Sequence, residues 1–247
     1  MNQYTYCYLA GALFNLGLWA LCFASRRDLR REMLVMSCAA VLMGLPHEYL
    51  LWTRDWWHPP NITQTRIGFE DLLYAIGTGG TLAVIFPVVL RRRLSNGAAP
   101  GAFMVAMPLI IDFVLPFLLV LLAGMHSFKA SALSTCLAIL WVVVLRPDLI
   151  APALISAGFA AVLSFACFWS IEMFVPGVVA AIWDLPKLSG IVFAGVPLED
   201  LAWYTYTGAL FGIYYKYATG ARFVSAASAG VRKPIAPAEA SQPGTQA

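Results

Sequence analysis

The chain has 247 residues, of which 60% are hydrophobic and only 12% charged, with a net charge of +3. A water-soluble domain is about half apolar and about a quarter charged, so this composition leaves too little polar surface to coat a soluble globule. The small net charge gives no footing for nucleic-acid binding, whereas the length suits an all-α polytopic membrane protein of about seven helices of roughly 20 residues each.

In chain order the apolar runs lie near 4–24, 33–52, 69–90, 102–123, 129–145, 150–175 and 196–217. Backbone groups in lipid must be satisfied within the segment, so each run is read as a transmembrane helix. No basic segment precedes the first run, and Arg26 and Arg27 follow it where a cleavage site would stand, so it reads as a retained span. Leu21 ahead of Cys22 argues against a lipoprotein context. Cys7, Cys22, Cys38, Cys136 and Cys167 all fall in apolar runs and read as buried free thiols. The predicted units are residues 1–93, a linking span at 94–124, residues 125–218, and a disordered cytoplasmic tail at 219–247, rich in Ala, Ser, Pro and Gly.

Basic residues set the orientation. The joints after spans one, three and five, with the C-terminal segment, hold Arg26, Arg27, Arg30, Arg31, Arg91, Arg92, Arg93, Arg146, Lys216, Arg222, Arg232 and Lys233; the other side holds Arg54, Arg66, Lys129 and Lys187. The excess predicts a cytoplasmic C-terminus and an outer N-terminus, as in a bacterial inner membrane.

The chain also repeats itself. Arg26-Arg27-Asp28-Leu29 returns as Arg146-Pro147-Asp148-Leu149, and Ala39-Ala40-Val41-Leu42 as Ala160-Ala161-Val162-Leu163. Glu70-Asp71-Leu72 with Thr78-Gly79 returns as Glu199-Asp200-Leu201 with Thr207-Gly208. Two three-helix units joined by span four would share one orientation, a parallel repeat.

Acidic residues at membrane depth are the candidates for chemistry, because intramembrane carboxyls are costly and usually functional. Glu70 and Asp71 head span three, Glu199 and Asp200 head span seven, and Glu48 follows His47 in span two. Helix capping is the alternative for the paired acids. Tyr74 and Trp203 stand four residues after Glu70 and Glu199, a spacing that puts each Glu and an aromatic ring on one helix face. An acid with an aromatic face suits carbocation chemistry, since burial favours a proton-donating carboxylic acid and the ring stabilises positive charge.

Asp112 lies between Pro108 and Pro116 and reads as a proton relay or as a partner for Asn15; Glu172 sits near the end of span six. Trp52, Trp56, Trp57 and His58 read as an interfacial aromatic belt, with a substrate mouth as the alternative. Gly77, Gly79 and Gly80 read as a close helix contact. The three histidines have no metal-site spacing, and no cofactor is implied.

Val196-Pro197-Leu198-Glu199-Asp200-Leu201 resembles the Pro-x-Glu-Glu/Asp signature of the membrane lycopene cyclase domain, a three-helix unit that also occurs fused in tandem. The resemblance spans most of residues 4–217 and implies ring closure at the ends of lycopene by protonation, cyclisation and deprotonation without net redox. Carried over, it makes Glu199, Asp200, Glu70, Asp71 and Glu48 the catalytic candidates. Gly68 stands where the first copy of the motif would carry proline. Tyr74, Trp203, Trp57, Asp112 and Glu172 are candidates for contact with a lipid-soluble polyene, and other carotenoid enzymes are candidate partners. A cyclase or hydratase for another isoprenoid, and a non-catalytic carotenoid-binding or scaffold protein, fit the same residues. A retinal protein needs a lysine midway along span seven, whereas Lys216 stands at its cytoplasmic end.

Overall fold

A computed structural model describes residues 4–225. Seven long helices follow one another among the described residues: α1 (Thr5–Ser25), α2 (Arg30–His47), α3 (Phe69–Val89), α4 (Ala102–Ala123), α5 (Ser127–Leu145), α6 (Ile150–Phe174) and α7 (Leu198–Thr219). Six helical segments are long and apolar enough to cross a membrane. The exception is α7, which carries Glu199, Asp200, Lys216 and five tyrosines, yet buries much of its length. Its polar groups are spent inside the bundle.

α1 and α2 both pack on α3, α5 and α6 both pack on α7, and α3 meets α7 along the centre. α4 lies outside on α5; of its residues only Pro108 and Pro116 are buried. It is tied down by the hydroxyls of Tyr214 and Tyr217, which donate to the carbonyls of Val105 (3.0 Å) and Met104 (2.9 Å).

Missing side chains set the close approaches. A Cβ built on Gly77 would fall 2.8 Å from the backbone of Asn15 and Leu16, and one on Gly79 would fall 2.8 Å from the Met36 carbonyl and against Ala40. On the other side, a Cβ on Gly208 would fall 3.1 Å from the Ser156 carbonyl and against Ala160. Helices this close gain dispersion contacts and bring polar groups into reach.

The corners match as well. Arg26 forks onto Asp28 at 2.9 and 2.8 Å and reaches the carbonyl of Arg92, while Arg146 forks onto Asp148 at 2.7 and 2.7 Å and reaches the carbonyl of Ala221. The glycine contacts put Ala40 against Gly79 and Ala160 against Gly208, a pairing one residue away from the Ala39 match read in the sequence. Strand β1 (Arg92–Ser95) follows α3, and the short hairpin of β2 (Val192–Phe193) and β3 (Val196–Pro197) precedes α7. β4 (Arg222–Ser225) pairs antiparallel with β1, placing Phe223 opposite Leu94. It therefore orders the start of the segment expected as a tail at 219–247, after Gly220 ends α7 at φ +69°, a conformation that glycine adopts without strain. Residues 226–247, the remainder of that segment, lie outside the described residues.

Two further expectations change. All five cysteines are free, but only Cys7 and Cys167 are buried, while Cys38 and Cys136 are exposed. Lys216, counted with the cytoplasmic charges, does stand in the last turn of α7 among tyrosines, but it is fully buried and ion-paired with Glu32 of α2. Its ammonium also donates to the carbonyls of Ala83 (2.6 Å) and Gly212 (3.0 Å).

Removing one partner of a buried pair strands the other, at a cost of about 3–5 kcal/mol. Glu32→Gln is therefore expected to lower the unfolding free energy in a denaturing-detergent titration by about that amount. The double variant Glu32→Leu/Lys216→Met is expected to recover most of it. A Glu32→Gln protein as stable as the parent would contradict the buried pairing.

Candidate functional site

The site begins with the pitch of α3 and α7. Asp71, Tyr74, Ala75 and Thr78 share one face of α3, and Asp200, Trp203, Tyr204, Thr207 and Phe211 share one face of α7. The intervals are three, four and seven residues, so each set forms a stripe. The two stripes line a single cavity of about 120 Å³, joined by Tyr8, Glu48, Trp57 and Asp112. Of the ten candidate residues, Asp200, Asp71, Glu48, Tyr74, Trp203, Trp57 and Asp112 come together here; Glu199, Glu70 and Glu172 do not.

The aromatic residues therefore share the cavity face with the aspartates, three residues before them, and not with the glutamates. Glu70 is fully buried, and its carboxyl accepts the Ile62 N–H at 2.7 Å; Glu199 accepts the Ser189 N–H at 2.6 Å. Each glutamate thus ties the loop before its own helix. Glu172 accepts the N–H groups of Gly177 (2.8 Å) and Val179 (3.0 Å), fastening the turn into the short helix Val178–Ile182. Asn61, which opens the sequon Asn61-Ile62-Thr63, is buried and donates to the Thr65 carbonyl at 2.6 Å.

The aspartates differ in how they are held. Asp71 caps α3 by accepting the Gly68 N–H at 2.6 Å, and it also accepts the Tyr8 hydroxyl from α1. At the matching place before Asp200 stands Pro197, which has no N–H to give, and Asp200 takes the Ser164 hydroxyl of α6. Capping and cavity-facing roles are therefore compatible at Asp71.

Glu48 sits where α2 passes, just after Pro46, into a π-helical turn over Glu48–Trp52, an irregularity often found at functional positions. The turn aims Glu48 inward, where it accepts the Trp57 indole N–H at 2.7 Å and lines the same cavity as Asp71. Asp112 accepts the Thr135 hydroxyl at 2.6 Å. Asn15 is not its partner, since Asn15 donates to the Gly11 carbonyl at 3.0 Å on its own helix. No ion pair among the described residues includes Glu48, Asp71, Asp112 or Asp200.

The loop tryptophans correct the belt expectation. Trp56 and Trp57 are 2% and 6% exposed. Trp56 stacks on Trp183 from the loop before α7 and Trp57 meets it edge-on, with ring centroids 5.1 and 5.0 Å apart. Backbone bonds join the two loops: His58 N–H to the Ile182 carbonyl at 2.8 Å and Asp184 N–H to the Trp56 carbonyl at 3.0 Å. Trp52 faces the cavity, donates to the Ser131 hydroxyl at 3.1 Å and meets Trp203 edge-on at 5.9 Å. These rings form the outer wall of the site.

Sequence reasoning missed Tyr8, Tyr204, Tyr206 and Trp183 in the lining, and the Tyr74–Tyr204 hydroxyl contact that joins the two central helices. The phenol of Tyr206 and the indole N–H of Trp183 are buried without a hydrogen-bond partner among the described residues.

Residues 126–218 match the family model for lycopene cyclase. The matched stretch runs from the start of α5 to the end of α7 and so contains Asp200, Glu199 and Trp203. No curated protein and no solved structure matches the chain.

The glutamate tethers have a direct readout. Glu199→Ala removes a bond worth about 1 kcal/mol, and trypsin cleavage after the exposed Lys187 is expected to speed up about fivefold while the helical content stays unchanged. Unaltered cleavage would remove the loop-tethering role.

Proposed function

We propose that this protein is a membrane-embedded cyclase of the lycopene β-cyclase type, acting at one cavity between two parallel three-helix units. The observation that carries the reading is the meeting of Asp71 and Asp200, from opposite halves, at a single aromatic-walled cavity. The lycopene cyclase match over residues 126–218 supports the substrate class, a lipid-soluble carotenoid. The like contacts at Gly79 and Gly208, and at Arg26 and Arg146, support duplication. The α7 helix, though less apolar, completes the seven spans. The basic-residue distribution supports a cytoplasmic C-terminus and an outer N-terminus.

In this reading the Glu48–Asp71 pair delivers a proton to the terminal double bond of the polyene. The resulting cation is attacked by a nearby double bond, which closes the ring by forming one carbon–carbon bond. The faces of Tyr74, Trp57 and Trp203 stabilise the positive charge. Asp200 takes up the proton lost when the ring double bond forms, so the reaction is an isomerisation with no electron transfer. Asp112, also in the lining, orients the chain, while Glu70, Glu199 and Glu172 act by holding the neighbouring loops.

A second reading, hydration of the cation to an alcohol, is favoured by the unpartnered Tyr206 hydroxyl and Trp183 N–H at the cavity. Those groups are suited to an oxygen.

Expression in a lycopene-accumulating bacterium, with pigments separated by chromatography, decides between them. Ring-bearing hydrocarbons are expected, and Asp71→Asn and Asp200→Asn are each expected to lower their formation at least about 100-fold, while Glu70→Gln retains most of it. A hydroxylated product instead selects hydration, and unchanged lycopene in cells that have inserted the protein contradicts both readings.

A further inference from the structure

The free space at the aspartates, about 120 Å³, falls below the roughly 300–1,000 Å³ of an ordinary small-molecule pocket. It has room for one end of a long polyene, and the rest of the chain must pass out between helices. α2 packs on α3, and α4 on α5, but α2 and α4 hardly touch. Their contact gathers at His47, whose Nε2–H donates to the Phe113 carbonyl at 3.0 Å and whose ring lies 5.1 and 5.0 Å from those of Phe113 and Phe117. Three residues before His47, Gly44 lines the cavity, and a Cβ built on it would find no atom within 4 Å. On α4, either side of Phe113, the outward side chains are apolar: Ile110 and Val114 are 48% and 40% exposed.

The geometry points to a lateral passage between α2 and α4 through which a linear isoprenoid reaches the aspartates from the lipid, with Gly44 as the residue that sets its width. This rests on the reading of the site as one for isoprenoid substrates. The absent side chain at Gly44 leaves the space in which the tail lies while the chain end is at Asp71 and Asp200. His47 pins the two helices together about one turn away and bounds the slot. Because the cavity takes one end, a polyene cyclised at both ends must withdraw and return reversed.

Gly158 provides the control. It too has open space at its Cβ but lies on α6, away from the cavity. The protein in phosphatidylcholine vesicles is titrated with lycopene, and the saturable part of tryptophan quenching by the polyene reports occupancy without requiring turnover. Gly44→Phe is expected to raise the half-saturating lycopene content at least tenfold, Gly44→Ala about twofold, and Gly158→Phe to leave it within twofold of the parent. Gly44→Leu is read in the same way if the phenylalanine variant is not recovered folded. A Gly44→Phe protein that binds like Gly158→Phe overturns the passage, as does a parent without saturable quenching. Binding that depends on Gly44 with no product in the cellular assay contradicts the cyclase and hydratase readings and leaves the passage standing.

Discussion

Carboxyl groups sealed between apolar helices have to be met by donors from the chain itself, because the bilayer offers none, and most of the local structure follows from that need. Tyr8 comes inward to Asp71, Ser164 to Asp200, Thr135 to Asp112 and Trp57 to Glu48. Each of these contacts joins different elements, so satisfying the acids also sets the positions of α1, α5, α6 and the loop before α3. An unsatisfied buried group would cost about 1–3 kcal/mol. The cluster is thus a source of fold specificity as well as of chemistry.

The two halves meet that need differently. Gly68 can donate its N–H to Asp71, whereas Pro197 cannot donate to Asp200, and the second aspartate takes a hydroxyl from Ser164 of α6 instead. Glu48, held by Trp57, lines the same cavity. Similar frames therefore carry two acids in unlike surroundings, an arrangement that separates proton donation from proton uptake in the proposed reaction. The glutamates next to them serve in parallel, each accepting a backbone N–H from its own loop.

Much of this was legible in the sequence, for physical reasons that also mark where it stopped. Continuous apolar runs located the helices, and the glycines of α3 announced its close contacts, since small residues are what let backbones approach. Which acid faces the cavity was not legible. Tyr74 follows Glu70 by four residues and Asp71 by three, and both spacings put two side chains on one face; only packing against α1 and α7 separates them. The inward turn of Trp56 and Trp57 depends on Trp183, more than a hundred residues away, and nothing local signals it. The Lys216–Glu32 pair spans 184 residues and was likewise invisible. Asp112 lost Asn15 to that residue's own helix carbonyl, a competitor present on every helix.

The central claim is that a carboxyl proton, exchangeable with water, starts ring closure. Membranes containing the protein, equilibrated in deuterium oxide and supplied with lycopene, test it by mass spectrometry of the product. One deuterium is predicted for each ring formed, retained on the ring carbon that received the proton. Rings formed without deuterium would contradict the account.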